Sequence, residues 1–273
     1  MKKKIVFRWV KVFLLVYAVV GIAWYYGQDR LLLHPVKMNR DEAYGFSEPF
    51  TELNLKYDMA TNLNVVQFKA TDRPADSVAK GVVLFFHGNS NNIAHDGPHA
   101  IDLTSKGYEV WMMDYPGFGK STGGRKEQQL YAYALVFYKL ARSRWKPSQI
   151  VLYGRSFGTG LAAQLASVRD CRRLILDCPY YSMTSLFRRY LFLYPVAMML
   201  HYHLPINEYL PAVTAPVTIF HGDADRVIPY SNSRLLEPLL KPGDEYVTIP
   251  GAGHNSLHDS PLFEEKLDSV LRH

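Results

Sequence analysis

Ser156 lies in the pentapeptide Gly154-Arg155-Ser156-Phe157-Gly158, a spacing that suits a serine nucleophile. A hydroxyl reacts poorly until a base takes its proton, so it must project from the backbone toward a partner. Glycines two residues before and two after the serine permit a sharp turn that pushes the hydroxyl out. A helix starting there aims N–H groups and a dipole at developing negative charge. An imidazole with a pKa near neutrality can serve as general base, and a carboxylate can fix its tautomer. The sequence offers His254 after Gly253, and Asp225 within the run His221 to Pro229. Asp223 reads as a turn-former and Asp177 as an alternative acid. Of the other histidines, His87 is expected to brace its own loop and His258 to lie on the surface.

These residues work together only if secondary structure brings them together. Gln149–Tyr153 reads as a buried strand and Phe157–Val168 as the helix after it, so Ser156 occupies a strand-to-helix turn. Strand Val217–Phe220 runs into Asp225, and strand Glu245–Ile249 runs into His254. Gly81–Phe86 and Tyr108–Met113 are continuous apolar strands, as expected where both faces of a parallel sheet are covered. Leu174–Asp177 is a further strand. Helices are predicted at 97–106, 126–144, 232–240 and 262–271, and a leading antiparallel pair at 50–57 and 63–70. A polar loop covers 72–80. Alternating strands and helices imply a parallel sheet wrapped by helices, with ligands at the carboxyl ends of its strands.

The runs His87-Gly88-Asn89, Asp114 to Ser121, Gly154 to Gly158, His221 to Asp225 with Val227 to Pro229, and Gly253-His254 together resemble the α/β-hydrolase superfamily. Within it the chain is most similar to the BEM46/ABHD13-like membrane-anchored serine hydrolases, which include bacterial lysophospholipase-like members. The resemblance covers about residues 30–270. It implies an α/β-hydrolase fold, a mostly parallel twisted sheet wrapped by helices, in which Ser156, Asp225 and His254 are the catalytic residues in the superfamily's Ser–Asp–His order. It also implies an oxyanion hole of backbone N–H groups from Phe157 and Asn89, with Ser90 a one-residue alternative. No cofactor or metal is implied, and an aspartate nucleophile of the halide and epoxide type is absent because Ser156 stands there.

The net charge of +6 is concentrated at the start of the chain. Lys2, Lys3, Lys4, Arg8 and Lys11 leave about +1 for the rest, so no nucleic-acid groove is implied. The basic flag precedes an apolar run from Val12 to Tyr26, and counting from Ile5 gives roughly 33 Å of helix against a hydrocarbon layer of ~30 Å. Trp9 and Trp24-Tyr25-Tyr26 suit the two interfaces. Residues 1–27 therefore read as a single-pass transmembrane anchor, with a signal peptide cleaved near Gly21–Ala23 as the alternative. Either places the basic end in the cytoplasm and the body outside it. Residues 28–48 read as a polar linker, and 49–273 as the hydrolase domain. Cys171 and Cys178 flank one strand, too far apart for a disulfide.

A lid insertion is expected at about 179–212, rich in Tyr180, Tyr181, Phe187, Tyr190, Phe192, Tyr194, Tyr202, Met198 and Met199. These side chains either pack the lid onto the body or form an acyl-chain site near the membrane, with Arg188 and Arg189 at the headgroups. The leading function is hydrolysis of carboxylic esters or thioesters of small-molecule or lipid origin, in a membrane-held protein. A serine peptidase-like hydrolase and a non-catalytic membrane-anchored binding module are the alternatives.

Overall fold

The computed structural model describes residues 2–71 and 78–272, so residues 72–77 of the expected polar loop lie outside the described residues. The chain opens with helix α1 (Lys2–Leu32), 31 residues or about 46 Å long and apolar enough to cross a membrane. Strand β1 (His34–Pro35) follows directly. The hairpin β2 (Phe50–Lys56) and β3 (Asn62–Phe68) leads into β4 (Gly81–Phe86), β5 (Ser90–Asn91), α2 (Ile93–Asp96), α3 (Pro98–Thr104) and β6 (Tyr108–Met113). Then come α4 (Glu127–Arg142), β7 (Ile150–Arg155), α5 (Gly158–Val168) and β8 (Arg173–Asp177). The insertion carries α6 (Met183–Arg188), α7 (Val196–Met199) and α8 (Ile206–Tyr209). The chain closes with β9 (Val217–Gly222), α9 (Tyr230–Ser233), β10 (Glu245–Ile249) and α10 (Pro261–Arg272).

Eight strands form one sheet in the order β10-β9-β8-β7-β4-β6-β3-β2. It is parallel from β10 to β6, while β3 runs antiparallel to β6 and to β2. All six residues of β4 are buried because alternate side chains feed two cores. Val82, Leu84 and Phe86 pack with Phe137 of α4 and Leu161 of α5. Val83 and Phe85 pack on the opposite face with Leu103, Phe263 and Leu267. Each such side chain contributes roughly 1.5–3 kcal/mol by leaving water. In α4, Leu130, Tyr133, Ala134, Phe137 and Ala141 recur at helical spacing and are all buried, which gives that helix its inward stripe.

Three expectations change. The helix expected at 97–106 is present as the shorter α3, and a separate short helix precedes it: Asn92 caps α2 by accepting from the His95 N–H at 3.3 Å, and Pro98 starts α3 after Gly97. The one expected at 232–240 becomes the short α9 and a 3₁₀ turn, Arg234–Leu239, since Pro238 lacks the N–H an α-helix needs. The segment 28–48 is not a free linker. Its first five residues continue α1, and Gln28, Leu33 and Tyr44 are buried. The Tyr44 ring stacks on Phe46 in the core that holds Phe68.

The insertion folds against α1. Phe187 meets Trp24 edge-on at 5.2 Å, and the Tyr194 and Tyr17 rings stack 4.3 Å apart. Gly21 makes room for this approach, since a Cβ there would lie 2.9 Å from the Tyr194 ring. The Gln28 amide donates to the Met199 carbonyl at 2.8 Å and accepts from the His201 N–H at 2.9 Å.

Candidate active site

The turn between β7 and α5 is tight enough to exclude side chains at both glycines. A Cβ on Gly154 would lie 2.6 Å from the Gly158 carbonyl oxygen, and one on Gly158 only 2.1 Å from that of Phe86. Ser156 itself holds a left-handed backbone, φ +50°, which costs of order 1–3 kcal/mol and persists only where neighbours impose it. Here its N–H donates to the Asp177 carbonyl at 2.8 Å and its carbonyl accepts from the Thr159 N–H at 3.0 Å.

The three residues singled out from the sequence meet at this turn. Ser156 Oγ lies 3.0 Å from His254 Nε2, and His254 Nδ1 lies 2.7 Å from Asp225 Oδ2. An ionised carboxylate only accepts, so Nδ1 carries the proton and Nε2 is left to accept from the serine. The other oxygen of Asp225 accepts from the Val227 and Ile228 N–H groups at 2.8 and 2.9 Å. Burial alone would raise the Asp225 carboxyl, but the His254 bond and those N–H donors outweigh it and hold the group below its ordinary value. Asp223 takes the turn role expected of it, accepting from the Gly251 N–H at 2.7 Å.

The loop after β4 passes directly over the nucleophile: a Cβ on Gly88 would be 3.8 Å from that of Ser156. Phe157 caps α5, where helix geometry leaves N–H groups without intrahelical partners. Asn89 and Ser156 line one cavity of about 590 Å³ with Val227, His254 and Asn255. The rest of its wall carries polar side chains, including those of His34, Asn91, His95, His99 and Arg155. The insertion expected as a lid at about 179–212 does not line it. Tyr180 instead donates to the Phe157 carbonyl and Tyr202 to that of Arg125, from buried positions beside α5 and α4.

His87 is buried, stacks on Tyr115 at 4.1 Å and bonds the Gly88 carbonyl through Nδ1 at 2.8 Å, bracing the loop as expected. His221 is buried, and its Nε2 donates to the Ile228 carbonyl at 3.0 Å. His258 is the correction, since it is not on the surface. Its Nε2 lies 2.8 Å from Asp177 Oδ2, which also accepts from the Tyr153 hydroxyl at 2.9 Å. Burial alone would raise the Asp177 carboxyl, but His258 and the nearby Arg155 guanidinium hold it well below the carboxylate range. Asp177 therefore serves His258, not His254. Arg155 bonds His99 Nε2 at 2.8 Å, and burial together with that guanidinium pushes His99 down to about 4. The sequence held one signal for this second pair: His258 follows His254 by four residues, and Asp177 ends the strand beside the elbow.

Sequence reasoning missed a strap on the site. The His34 N–H donates to the Asn89 carbonyl at 2.8 Å, and the Val36 N–H to that of Asn91 at 3.0 Å, pairing β1 with β5. The Asn89 side chain returns a bond to the Leu32 carbonyl, and Asn92 Nδ2 one to Val36 at 3.1 Å. The end of α1 is thus fastened to the loop above Ser156. No composition or periodicity marks such an edge pairing.

The atoms of Cys178, His221 and Asp225 lie within 4.8 Å of one another, a set that could hold a metal ion. Asp225 is already committed to His254, and burial raises the Cys178 thiol well above its ordinary value, which disfavours a thiolate ligand.

Residues 81–199 match the family model described as alpha/beta hydrolase fold. Mouse alpha/beta hydrolase domain-containing protein 17C is 30% identical over 196 residues, 70% of this chain and 59% of the relative. An uncharacterized Mycobacterium tuberculosis protein is 30% identical over 194 residues, 70% of this chain and 68% of the relative. The chain thus spans about three fifths of the length of the first of these. Among solved structures, the Pyrococcus furiosus esterase Pf2001 superposes with a TM-score of 0.69 at 14% identity, covering 88% of this chain and 98% of its own. Est1E from Butyrivibrio proteoclasticus, bound to ferulic acid, gives 0.60 at 17% identity, covering 78% and 97%. The elbow, the sheet order and these matches agree: the chain belongs to the α/β-hydrolase superfamily.

Proposed function

We propose that the protein is a serine hydrolase of carboxylic esters or thioesters, working through an acyl-enzyme on Ser156 and held at a membrane by α1. The observation that carries this reading is the hydrogen-bond chain from Asp225 through His254 to Ser156 at the start of α5. As Ser156 Oγ attacks the acyl carbonyl, its proton passes to His254 Nε2. Asp225 stabilises the imidazolium while remaining ionised. The tetrahedral oxyanion is received by the backbone N–H groups of Phe157 and Asn89. His254 then protonates the leaving group, and in the second half it activates the water that releases the acid. Fluorophosphonate labelling tests the assignment. Wild type should label at Ser156, and Ser156→Ala should not label and should lose about 10⁴-fold or more in kcat. Unlabelled, inactive wild type would sink the enzyme reading.

The polar side chains around Ser156 suit a polar leaving group, and the membrane setting suits a lipid-derived acyl chain. Activity that falls steadily with acyl length, even in detergent or vesicles, would refute the lipid part. Basic residues Lys2–Lys4 orient α1 with its start in the cytoplasm and the hydrolase body outside. Retention of α1 is favoured over cleavage because the insertion packs on residues either side of Ala23, Tyr17 and Gln28 among them. This arrangement is also what the resemblance to the BEM46/ABHD13-like group implies. Release of a shortened soluble protein on carbonate extraction would overturn the anchor.

A further inference from the structure

The apolar tip of the insertion has no protein over it. Tyr190 is 62% exposed, Phe192 75%, Leu193 57% and Met198 84%, an exposure that in a soluble chain marks an interaction surface. These residues lie beside α1, which fixes their level along it. The insertion enters at Trp24, where Phe187 touches it, reaches Tyr17 at Leu193 and Tyr194, and returns to Gln28 and Asp29 at Met199 and His201. Tyr17 lies seven residues before Trp24 and eleven before Gln28, or about 10 and 16 Å deeper along the helix.

The geometry points to a re-entrant hairpin: residues 190–199 dip into the acyl-chain layer of the bilayer alongside α1. This inference rests on the reading of α1 as a membrane anchor. A bilayer has no water to satisfy backbone polar groups, so an irregular segment there must satisfy its own. This one does. The N–H groups of Tyr190 and Leu191 donate to Phe187, that of Tyr194 to Leu191, that of Val196 to Tyr194, that of Met198 to Pro195 and that of Leu200 to Val196. Pro195 has none to place. The Leu193 carbonyl accepts from the Tyr17 hydroxyl and the Met199 carbonyl from the Gln28 amide, both side chains of α1. Exposed Arg188 and Arg189 follow Phe187 at the level of Trp24, where lipid phosphates lie. An apolar groove of about 440 Å³ between the two elements, lined by Ala18, Ile22, Tyr26 and Pro195, is then filled by a lipid tail.

The test places a polarity-sensitive NBD label on Met198→Cys or Phe192→Cys, in the full chain carrying Cys171→Ser. Cys178 is buried and stays unlabelled. Ser148→Cys, exposed at the opposite end of the sheet, is the control. The protein is reconstituted into phosphatidylcholine–phosphatidylglycerol vesicles. Blue-shifted emission at 198 and 192, quenched severalfold more strongly by acyl-chain-brominated lipid than at 148, is the expected result. Emission from water at both positions in carbonate-resistant protein overturns the hairpin and leaves the anchor standing. The same emission in carbonate-extractable protein overturns both. Water-excluded emission that brominated lipid does not quench points to a protein surface, and also overturns the lipid assignment.

Discussion

Removing the strap between α1 and the loop above Ser156 should cost activity even where no membrane is involved. Four hydrogen bonds join residues 32–36 to 89–92, two of them backbone to backbone. At about 1 kcal/mol net each, they supply roughly 4 kcal/mol toward ordering the loop. Asn91 in that loop holds φ +64°, a left-handed conformation that asparagine adopts more readily than most residues with a side chain. Without the strap the loop relaxes and, on the proposed role of Asn89, its N–H leaves the oxyanion, a loss of about 10²–10³ in kcat for one donor. A chain beginning at Lys37 should therefore lose about 10²-fold in kcat on a short water-soluble p-nitrophenyl ester in detergent. A chain beginning at Trp24 keeps the strap and should stay within a few-fold of full length. His34→Pro deletes a single donor and should cost about 5-fold, from ~1 kcal/mol. If the folded chain from Lys37 turned over at the full-length rate, the strap would have no part in positioning the site.

Three further outcomes follow from buried groups. Burial raises Asp114 to about 7, above its unfolded value, so its contribution to stability is present in acid and is lost as pH rises through about 7. Urea unfolding at pH 5 and pH 8 should show the wild-type loss, and Asp114→Asn should flatten it. His258→Gln removes the imidazole that lies 2.8 Å from the buried Asp177 carboxylate and should destabilise by about 3 kcal/mol, seen as a lower Tm. Asp177 is held below its unfolded value, so its own contribution is present above about pH 4 and fades in stronger acid. Gly158→Ala forces a Cβ against the Phe86 carbonyl and should abolish fluorophosphonate labelling by displacing the elbow, with a drop in Tm.

The meeting of Ser156, His254 and Asp225 was legible because each follows a strand whose hydrophobic run is unmistakable, and because parallel sheets gather such ends. Asp177 and His258 were visible as candidates but not as a pair, since only the fold brings together residues 81 apart in sequence. The 28–48 segment reads as a linker by composition. Gln28 is nonetheless buried by hydrogen bonding to partners more than 170 residues away, which no local pattern encodes. The insertion was recognisable by position and aromatic content. Its packing on α1, and away from the cavity at Ser156, depends on Gly21 leaving room for one ring.

Only Leu33 stands between the last residue of α1 and the first of β1. At ~3.3 Å per residue that is no tether at all. With α1 in the bilayer, the hydrolase body has almost no freedom to rise, tilt or sweep out a volume above it. The site then works at one height, and a substrate is chosen partly by where its scissile bond sits relative to the lipid surface. A soluble ester of the right chemistry arrives by three-dimensional diffusion, whereas an amphiphile in the same leaflet is already at the working height. The rate on such a substrate should follow its density in the plane of the membrane and not its bulk concentration.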